Sequence, residues 1–574
     1  MSQELHRRGG GDGGDNKPAV PRHLGRGPRL GHAARNWTRE MGEGGPDAID
    51  RFRWRTIVTA TVLLAVALRI ATLVLAGHLT GVFEYDDGTY FGTAVLLVHG
   101  HLPYRDFVLL QPPGLPLLLV PFAMLSNWVG TDHALELARL VVPLVAGANV
   151  LLLGLILRRR SPLVVAVACL LLAVFPDDIL ASTALLLEPF LIFFCLLAVL
   201  IIFDGERLTG SAWRVFWAGV ALGIGADVKL WAAFPALVLL LLCLARPARA
   251  ATLVGGAALG WLILAMPFLV TAPLAFWHQV VVAQAGSAGA SALSPLVRLE
   301  FYTGVWAGLG VPQGHLYELL AAAAALCFAL VAVAAFATPW GNTGGRRPER
   351  TERPYSRISQ LELFALGSTV VTGVGLLFPA DFFYHCAAFL GPFVGLVAGL
   401  SVGRLVQLHR RSILAVTAMV GAVGLLHALA IPILLQRSPS PGAQIAAVIP
   451  AGSCVVADDS EYTLTANRFL STTPGCPLLV DASGTTIAIS GSEDPRTAKS
   501  QAAAPRWLAS FRRADYVVLT ALSPNRIPWD RRLERYLDLH FQAIADTPVL
   551  ILRRLPVEAK APQRLPLPPV APAP

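Results

Sequence analysis

Long apolar runs separated by short basic loops fill most of the chain between residues 56 and 434. Runs such as 56–77, 184–203 and 412–434 approach or exceed the roughly 20 residues that a helix needs to cross the hydrocarbon core of a bilayer. Because Lys- and Arg-rich loops stay in the cytoplasm, the basic clusters assign a side to each loop. The pattern predicts eleven spans with the N-terminus inside, at 56–77, 135–157, 161–177, 184–203, 212–226, 229–245, 251–271, 316–338, 358–378, 383–403 and 412–434.

Two stretches within this pattern need separate treatment. Residues 115–125 are apolar but short and follow Pro112 and Pro113, which predicts an interfacial or re-entrant helix there. Segments 212–226 and 229–245 are individually marginal and could form one long helix. Since merging them would break the alternation of basic loops downstream, we predict two spans.

The pattern changes after Arg437 to short β-rich runs with helical candidates between them. The β-rich runs are 454–457, 478–480, 516–520 and 549–552, and the helical candidates are 498–511 and 531–539. This alternation predicts a small α/β domain. The span count places that domain outside the cell, where oxidising conditions would let Cys454 and Cys476 form a disulfide.

These patterns divide the chain into four parts. Residues 1–50 are rich in Gly, Arg and Pro and are predicted to be a disordered cytoplasmic tail. Residues 51–436 form a transmembrane domain with a first outer loop at 78–134. Residues 437–556 form the extracytoplasmic α/β domain, and the Pro-rich residues 557–574 are predicted to be disordered.

Composition supports a membrane protein and argues against a nucleic-acid partner. Of the 574 residues, 55% are hydrophobic and 14% are charged, whereas an ordinary soluble protein has about a quarter charged residues. The net charge of +9 comes from basic clusters between apolar runs, and these clusters lack the interleaved aromatic residues of a nucleic-acid surface. The predicted fold class is an all-α polytopic membrane protein of the plasma membrane with a small α/β domain at its C-terminus.

Ionisable side chains concentrate at the predicted outer ends of the spans. They are Glu84, Asp86, Asp87, Arg105, Asp106, Asp177, Asp178, Glu188, Asp227, Lys229, His278, Asp381 and His385. Charges at membrane depth are usually paired, face a cavity and serve function. Solvated loop charge remains an alternative for Asp177, Asp178 and Asp381, whereas Glu188 and Lys229 lie at the edges of apolar segments, which favours a functional role.

Several short motifs carry a family resemblance. Glu84-Tyr85-Asp86-Asp87-Gly88-Thr89-Tyr90 followed by Gln111-Pro112-Pro113-Gly114 resembles the GT-C superfamily of polyprenyl-phosphate-sugar-dependent transferases. Within it, the likeness is to the family 39-like group of protein mannosyltransferases and aminoarabinose transferases, of actinobacterial type. Leu187-Glu188-Pro189-Phe190, the Gly-rich turn that ends at Lys229, and Tyr384-His385 are similar to later motifs of the group, so the likeness covers roughly residues 56–400.

The resemblance implies a GT-C-like fold and a division of roles among the outer residues. Asp86 would be the general base, with Asp87 and Glu188 as further catalytic carboxylates. Family members often have Lys or Arg before the Pro-Pro turn, whereas this chain has Gln111. Donor phosphate binding would then rest on Lys229, Arg105, Arg139 and His385, and acceptor or sugar binding on Tyr85, Tyr90 and Gln111.

Some alternatives stay open at this point. The tyrosines could stack on sugars or belong to an interfacial aromatic belt. Asp86 and Asp87 are two oxygen ligands of the kind that a divalent metal takes, but two carboxylates do not define a metal site, so no cofactor is assigned.

The expected function is transfer of a sugar, with mannose favoured, from a polyprenyl-phosphate donor to a cell-envelope glycolipid, polysaccharide or protein on the outer face. Alternatives are an arabinosyl or other pentosyl transferase of the same fold and, in a different class, a polytopic lipid or sugar transporter or flippase. A scaffold protein with a membrane anchor is a weaker alternative, since eleven spans exceed the needs of an anchor.

Overall fold

A computed structural model describes residues 46–283, 293–304, 315–337, 358–379, 382–492, 494, 497–520, 526–546, 549–556 and 565, without the side chains of 46–52. Most of the two predicted tails, the predicted cytoplasmic cluster at 346–357 and Asp381 lie outside these residues. Residues 53 onward form one compact unit.

Helices dominate the described residues up to position 434. They are α1 (Pro46–Leu75), α2 (Tyr85–Val98), α3 (Gly114–Ile156), α4 (Pro162–Val174), α5 (Pro176–Ala181), α6 (Leu187–Ile202), α7 (Ala212–Val228), α8 (Ala233–Cys243), α9 (Pro247–Thr271), α10 (Pro273–Trp277), α11 (Pro295–Thr303), α12 (His315–Ala337), α13 (Gln360–Gly375), α14 (Gly391–Leu405) and α15 (Arg410–Leu434). A two-stranded hairpin, β1 (Phe203–Asp204) with β2 (Arg207–Leu208), lies between α6 and α7. Shorter 3₁₀ segments occupy Leu230–Ala232 and Tyr384–Leu390.

Each predicted span falls on a helical segment of this set. Among the described residues, six helical stretches are long and apolar enough to cross a membrane, and four apolar stretches are shorter. The predicted separation of 212–226 from 229–245 is present, because Lys229 adopts an extended conformation (φ −154°, ψ 133°) between α7 and the 3₁₀ turn. Residues 115–125 form the start of α3, which is interrupted at Gly130 by a positive φ of 87°.

Glycines bring α7 and α9 into close contact. Gly219 and Gly223 on α7 face Gly256 and Gly260 on α9, and the two glycines on each helix are four positions apart. A Cβ at any of the four would clash with backbone atoms of the other helix. Small residues at this spacing are what allows helix backbones to approach closely in a bilayer, where apolar burial gives no net driving force between helices.

Adjacent glycines on α9 make this packing testable. Gly256→Ala should destabilise the protein by about 1–3 kcal/mol, because the added methyl group overpacks the contact with Phe216. Gly255→Ala is the matched control, since a Cβ there meets no atom within 4 Å and alanine favours a helix. Thermal unfolding of detergent-solubilised protein measures both, and equal melting temperatures would contradict the α7–α9 packing.

Buried ion pairs also hold the bundle together. Arg69 on α1 lies at 0% exposure and forms an ion pair with Asp178 on α5, while its guanidinium also donates to the backbone oxygen of Ala173 at 2.9 Å. At another place Glu362 on α13 accepts from Arg404 on α14 at 2.8 Å and lies 3.2 Å from Arg160. Asp178 is therefore buried and paired, which excludes the alternative of a solvated loop charge.

The C-terminal region contains a four-stranded mixed sheet. Its elements are α16 (Gly442–Val448), β3 (Val455–Ala457), α17 (Ser460–Thr465), α18 (Ala482–Ser490), α19 (Ala504–Phe511), β4 (Tyr516–Thr520), α20 (Arg531–His540), β5 (Phe541–Ala545) and β6 (Val549–Arg554). The strand order is β3-β4-β6-β5, with β3 parallel to β4 and the other pairs antiparallel.

Most of the predicted α/β pattern is confirmed in this sheet, and Cys454 is bonded to Cys476. The predicted strand at 478–480 is wrong, because these residues form irregular chain that leads into α18. The pattern also missed β5, an edge strand in which every residue after Phe541 is only partly buried.

The C-terminal region packs directly on the first loop of the membrane part. A Cβ at Gly88 on α2 would clash with the backbone of Glu461 on α17. Thr131 on α3 donates its hydroxyl to the backbone oxygen of Leu464 at 2.7 Å, and its backbone N–H donates to Asn467 at 3.1 Å. The glycine in the Asp-Asp-Gly sequence is therefore needed for this close approach.

Candidate functional site

A cavity of about 410 Å³ lies where α2, the α7–α8 junction, the 3₁₀ turn before α14 and the C-terminal region meet. Its lining residues are Glu84, Tyr85, Asp86, Thr89, Tyr90, Leu110, Gln111, Lys229, Trp231, Pro379, Phe383, His385, Cys386, Asp481, Ser483, Gly484, Ile487 and Arg526. The volume is in the range of small-molecule sites, and the lining carries carboxylates and cations together.

One wall of the cavity is built by Lys229 and His385 around the carboxylate of Glu188. Lys229 Nζ donates to Glu188 Oε1 at 2.6 Å, and His385 Nδ1 lies 3.1 Å from Glu188 Oε2. Glu188 is fully buried behind them, at 0% exposure. The ammonium group of Lys229 also lies 3.7 Å from the centre of the Trp231 ring. Glu188 thus orients two cationic groups that face the cavity, without lining it itself.

Asp86 and Glu84 present carboxylates on the floor of the cavity. The Tyr90 hydroxyl donates to Asp86 Oδ2 at 3.4 Å, and the Tyr384 hydroxyl donates to Glu84 Oε2 at 2.8 Å. Burial raises the pKa of Asp86 to about 6, against the opposing effects of the nearby His385 and Lys229. Burial likewise raises the pKa of Glu84 to about 7. A carboxylate with a raised pKa is a stronger base than an exposed one.

The opposite wall belongs to the C-terminal region. Asp481 caps α18 by accepting from the Gly484 N–H at 2.6 Å, and it also accepts from the Tyr85 hydroxyl at 2.8 Å. The Ser483 N–H donates to that same hydroxyl oxygen at 3.0 Å. Arg526 stacks on the Tyr85 ring, with its guanidinium carbon 3.9 Å from the ring centre.

Asp87 and Arg139 lie beside the cavity rather than in it. Arg139 is 1% exposed and donates through Nε to Asp87 Oδ2 at 2.7 Å. Its Nη1 donates to the backbone oxygens of Leu79 and Gly81 at 3.0 and 2.9 Å, and its Nη2 pairs with Glu461. Both carboxylates and the guanidinium are used to join α2, α3 and α17. Their geometry supports a role in positioning the segment that carries Asp86.

The Pro-Pro turn is held next to the helix end that carries Lys229. A Cβ at Gly114 would lie 2.6 Å from the backbone carbonyl of Asp227. Tyr104 takes a left-handed conformation, with φ 67°, and its hydroxyl donates to the backbone oxygen of Gln111 at 2.7 Å. Arg105 does not reach the cavity, because its side chain is 47% exposed and pairs with Asp106.

One set of described side chains has the spacing of metal ligands. It consists of Glu188, His385 and Cys386, whose candidate ligand atoms lie within 4.8 Å of one another. The Lys229 ammonium already neutralises Glu188 at 2.6 Å, so a cation bound there would have to displace it. Asp86 and Asp87 do not converge, because Asp87 is directed to Arg139 and to the Leu185 N–H.

This chain is similar to known proteins in structure. No protein-family model and no curated protein sequence matches this chain. The crystal structure of ArnT from Cupriavidus metallidurans bound to undecaprenyl phosphate aligns with a TM-score of 0.56 and 15% identity, over 88% of this chain and 100% of ArnT. Its apo form aligns with a TM-score of 0.55 and 14% identity, over 86% of this chain and 98% of ArnT. The chain has the GT-C membrane fold.

A more distant match involves an oligosaccharyltransferase from Archaeoglobus fulgidus in complex with Zn and sulfate. It aligns with a TM-score of 0.46 and 13% identity, over 88% of this chain and 74% of that one, which is too weak to support an argument. At these identities the GT-C likeness concerns the fold alone. The alignment with ArnT confirms the predicted class, a helical membrane protein with a small sheet-containing region.

Sequence reasoning located part of the cavity and missed its second wall. Of the predicted site residues, the cavity brings together Tyr85, Asp86, Tyr90, Gln111, Lys229 and His385. Asp481 and Arg526 were missed because they are far from the first loop in sequence and meet Tyr85 only in the folded protein. The signal for Arg69 was available, since an arginine within an apolar span requires a partner.

Removal of Arg139 tests the joint between the membrane part and the C-terminal region. Arg139→Met should lower the free energy of unfolding by about 3–5 kcal/mol, because it leaves two buried carboxylates without their cation. Arg105→Met is the control, since its ion pair with Asp106 is solvent-exposed, and it should change stability little. Thermal unfolding and limited proteolysis after α15 measure the effect. Equal stability of the two variants would contradict the buried joint.

Proposed function

We propose that this chain is a membrane glycosyltransferase that transfers a sugar, with mannose favoured, from a polyprenyl-phosphate donor to an acceptor of the cell envelope. The observation that carries the proposal is the cavity itself, in which the Asp86 carboxylate and the Lys229 and His385 cations line one common space of a GT-C fold. The structural neighbour ArnT was crystallised with undecaprenyl phosphate, the kind of lipid phosphate that a polyprenyl-phosphate sugar leaves after transfer.

In the proposed reaction, Asp86 takes up the proton that the acceptor loses, and the wall with Lys229 and His385 stabilises the negative charge on the leaving phosphate. Asp86 removes the proton from the acceptor hydroxyl as that oxygen bonds to the anomeric carbon of the donor sugar. The bond from that carbon to the phosphate oxygen breaks, and the negative charge stays on the polyprenyl phosphate. Lys229 and His385, held by Glu188, stabilise this leaving group electrostatically. No lysine or arginine is needed at Gln111.

The proposed orientation places the cavity on the outer face, with the N-terminus inside. Arg160, Glu362 and Arg404 belong to segments that the charge pattern assigns at or near the cytoplasmic side, and they meet in one ion-pair group. The C-terminal region carries the Cys454–Cys476 disulfide, which suits an oxidising compartment. Both observations support this topology.

Replacement of Asp86 tests the base. Asp86→Asn should lower transfer by about 10²–10⁴-fold, because general base catalysis typically contributes that factor. Asp106→Asn is the matched control in the same loop, because Asp106 accepts hydrogen bonds only from its neighbours Leu102 and Arg105 among the described residues. The assay follows radiolabelled mannose or arabinose from its polyprenyl phosphate into product in membranes. Undiminished transfer by Asp86→Asn at normal protein levels would overturn the assignment, and label transport without a glycosidic product would instead indicate a transporter.

The pH dependence of transfer gives an independent test. Asp86 must be ionised to accept a proton, so activity is present above its pKa and lost as the pH falls through it. Because burial raises that pKa to about 6 from a usual 3.8, kcat/KM should fall on the acid side with a midpoint near pH 6. Glu84 lies nearby with its own raised pKa, so the limb reports the two carboxyls as a pair. A midpoint near pH 4 would contradict a buried base.

A further inference from the structure

The cavity wall formed by the C-terminal region has no role in the chemistry described above. It consists of Asp481, Ser483, Gly484, Ile487 and Arg526. Four of these five residues come from one short stretch, residues 481–487, at the start of α18. The donor phosphate is assigned to the membrane-side wall, so this second wall is available to the other substrate.

Arg526 has hydrogen-bonding capacity directed at the cavity. Among the described residues, its side chain makes one hydrogen bond, from Nη1 to Asp459 Oδ2 at 3.4 Å. A guanidinium has five N–H donors, so most of them have no partner in the part of the chain that the structure describes. The plane of the group is held against the Tyr85 ring at 3.9 Å, which limits its motion. A preorganised donor set of this kind favours a ligand with several acceptor oxygens.

Asp481 supplies the complementary acceptor. It is buried, at 6% exposure, and accepts from Gly484, from Tyr85 and from the backbone of Leu110. A carboxylate offers about four lone-pair directions, so one remains for a hydroxyl donor. The Glu84 carboxylate and the Ser483 side chain line the same cavity. The lining of this part of the cavity therefore contains both donors and acceptors.

The charge balance decides which ligand fits. The positive charge of Arg526 lies among the carboxylates of Asp459, Asp458 and Glu84, so the wall as a whole does not attract a free anion. On the other wall, Lys229 and His385 both pair directly with Glu188, and Asp86 and Glu84 lie farther off among the charges that act on them. Because two cationic groups lie side by side there, that wall suits a phosphate better than the lone Arg526 does. A sugar ring offers several hydroxyls that both donate and accept, whereas a serine or threonine side chain offers one.

Resting on the function proposed above, we propose that Arg526 and Asp481 form the acceptor subsite and that the acceptor is a neutral, polyhydroxylated glycan. Its hydroxyl groups accept from Arg526 and donate to Asp481, which directs one neighbouring hydroxyl at Asp86. A site that hydrogen-bonds hydroxyls discriminates strongly against ligands that lack them, because its buried polar groups are then left unpaired. The C-terminal region thus selects the acceptor.

The test separates the two walls kinetically in the full-length protein. The donor is polyprenyl-phosphate mannose, and the acceptor probes are n-octyl mannoside, n-octyl arabinofuranoside and an acetylated threonine-containing peptide. Arg526→Lys keeps the charge but loses the planar fork, and Asp481→Asn removes the charge while asparagine still caps α18. Each should raise KM for the octyl glycoside at least tenfold, with the Kd for undecaprenyl phosphate unchanged within twofold.

Matched controls come from α20, away from the cavity. Asp530→Asn also changes a helix-capping aspartate, which accepts from Arg532 and Leu533, and Arg532→Lys changes an exposed arginine. Both should retain wild-type kinetics.

Three results would overturn the subsite while leaving transferase activity in place. These are a wild-type KM for the glycoside in both cavity variants, an equal loss of undecaprenyl phosphate binding, and transfer to the peptide but to neither glycoside. A wild-type protein that transfers sugar to no probe would overturn the proposed function itself.

Discussion

The buried guanidinium of Arg139 is the interaction on which the arrangement of the cavity depends. It lies between Asp87 of the first loop and Glu461 of the C-terminal region, and it also binds two backbone oxygens that precede α2. If the first loop and the C-terminal region moved apart, at least one buried carboxylate would lose its cation, which is energetically unfavourable. The Asp86 loop and the C-terminal wall are therefore fixed relative to each other by electrostatics, in addition to apolar contact.

The geometry of a helix explains why the neighbouring residues Asp86 and Asp87 contact different surroundings. Asp86 and Asp87 lie in the first turn of α2, where consecutive side chains point about 100° apart. One therefore faces the cavity while the other faces Arg139. The same turn places Gly88 against the backbone of α17. A sequence of four residues, Tyr85 to Gly88, thus supplies a contact to the C-terminal wall, the proposed base, a carboxylate that pairs with Arg139 and a glycine that packs against α17.

The membrane part was predictable because its signals are long and local. Apolar runs of helix length predicted the helical segments, and the alternation of basic loops predicted the break that the structure has at Lys229. The C-terminal sheet was harder, since strands such as β3 are three residues long and β5 is half-exposed at an edge. The irregular residues 478–480 contain three consecutive apolar side chains. Such a run occurs in short buried strands and in buried loops alike, so the sequence does not distinguish the two.

The second wall of the cavity could not be predicted because its residues depend on contacts between distant segments. Arg526 and Asp481 are about four hundred residues from Tyr85 in sequence, yet both touch its side chain, one at the ring and one at the hydroxyl. A single Asp directly before a helix predicts an N-cap, and Asp481 is the N-cap of α18. Its second task appears only when the first loop is packed beside it. The cap holds the carboxylate in place, and the tyrosine bridge links it to the segment that carries the proposed base, so a local folding signal also fixes the geometry of the cavity.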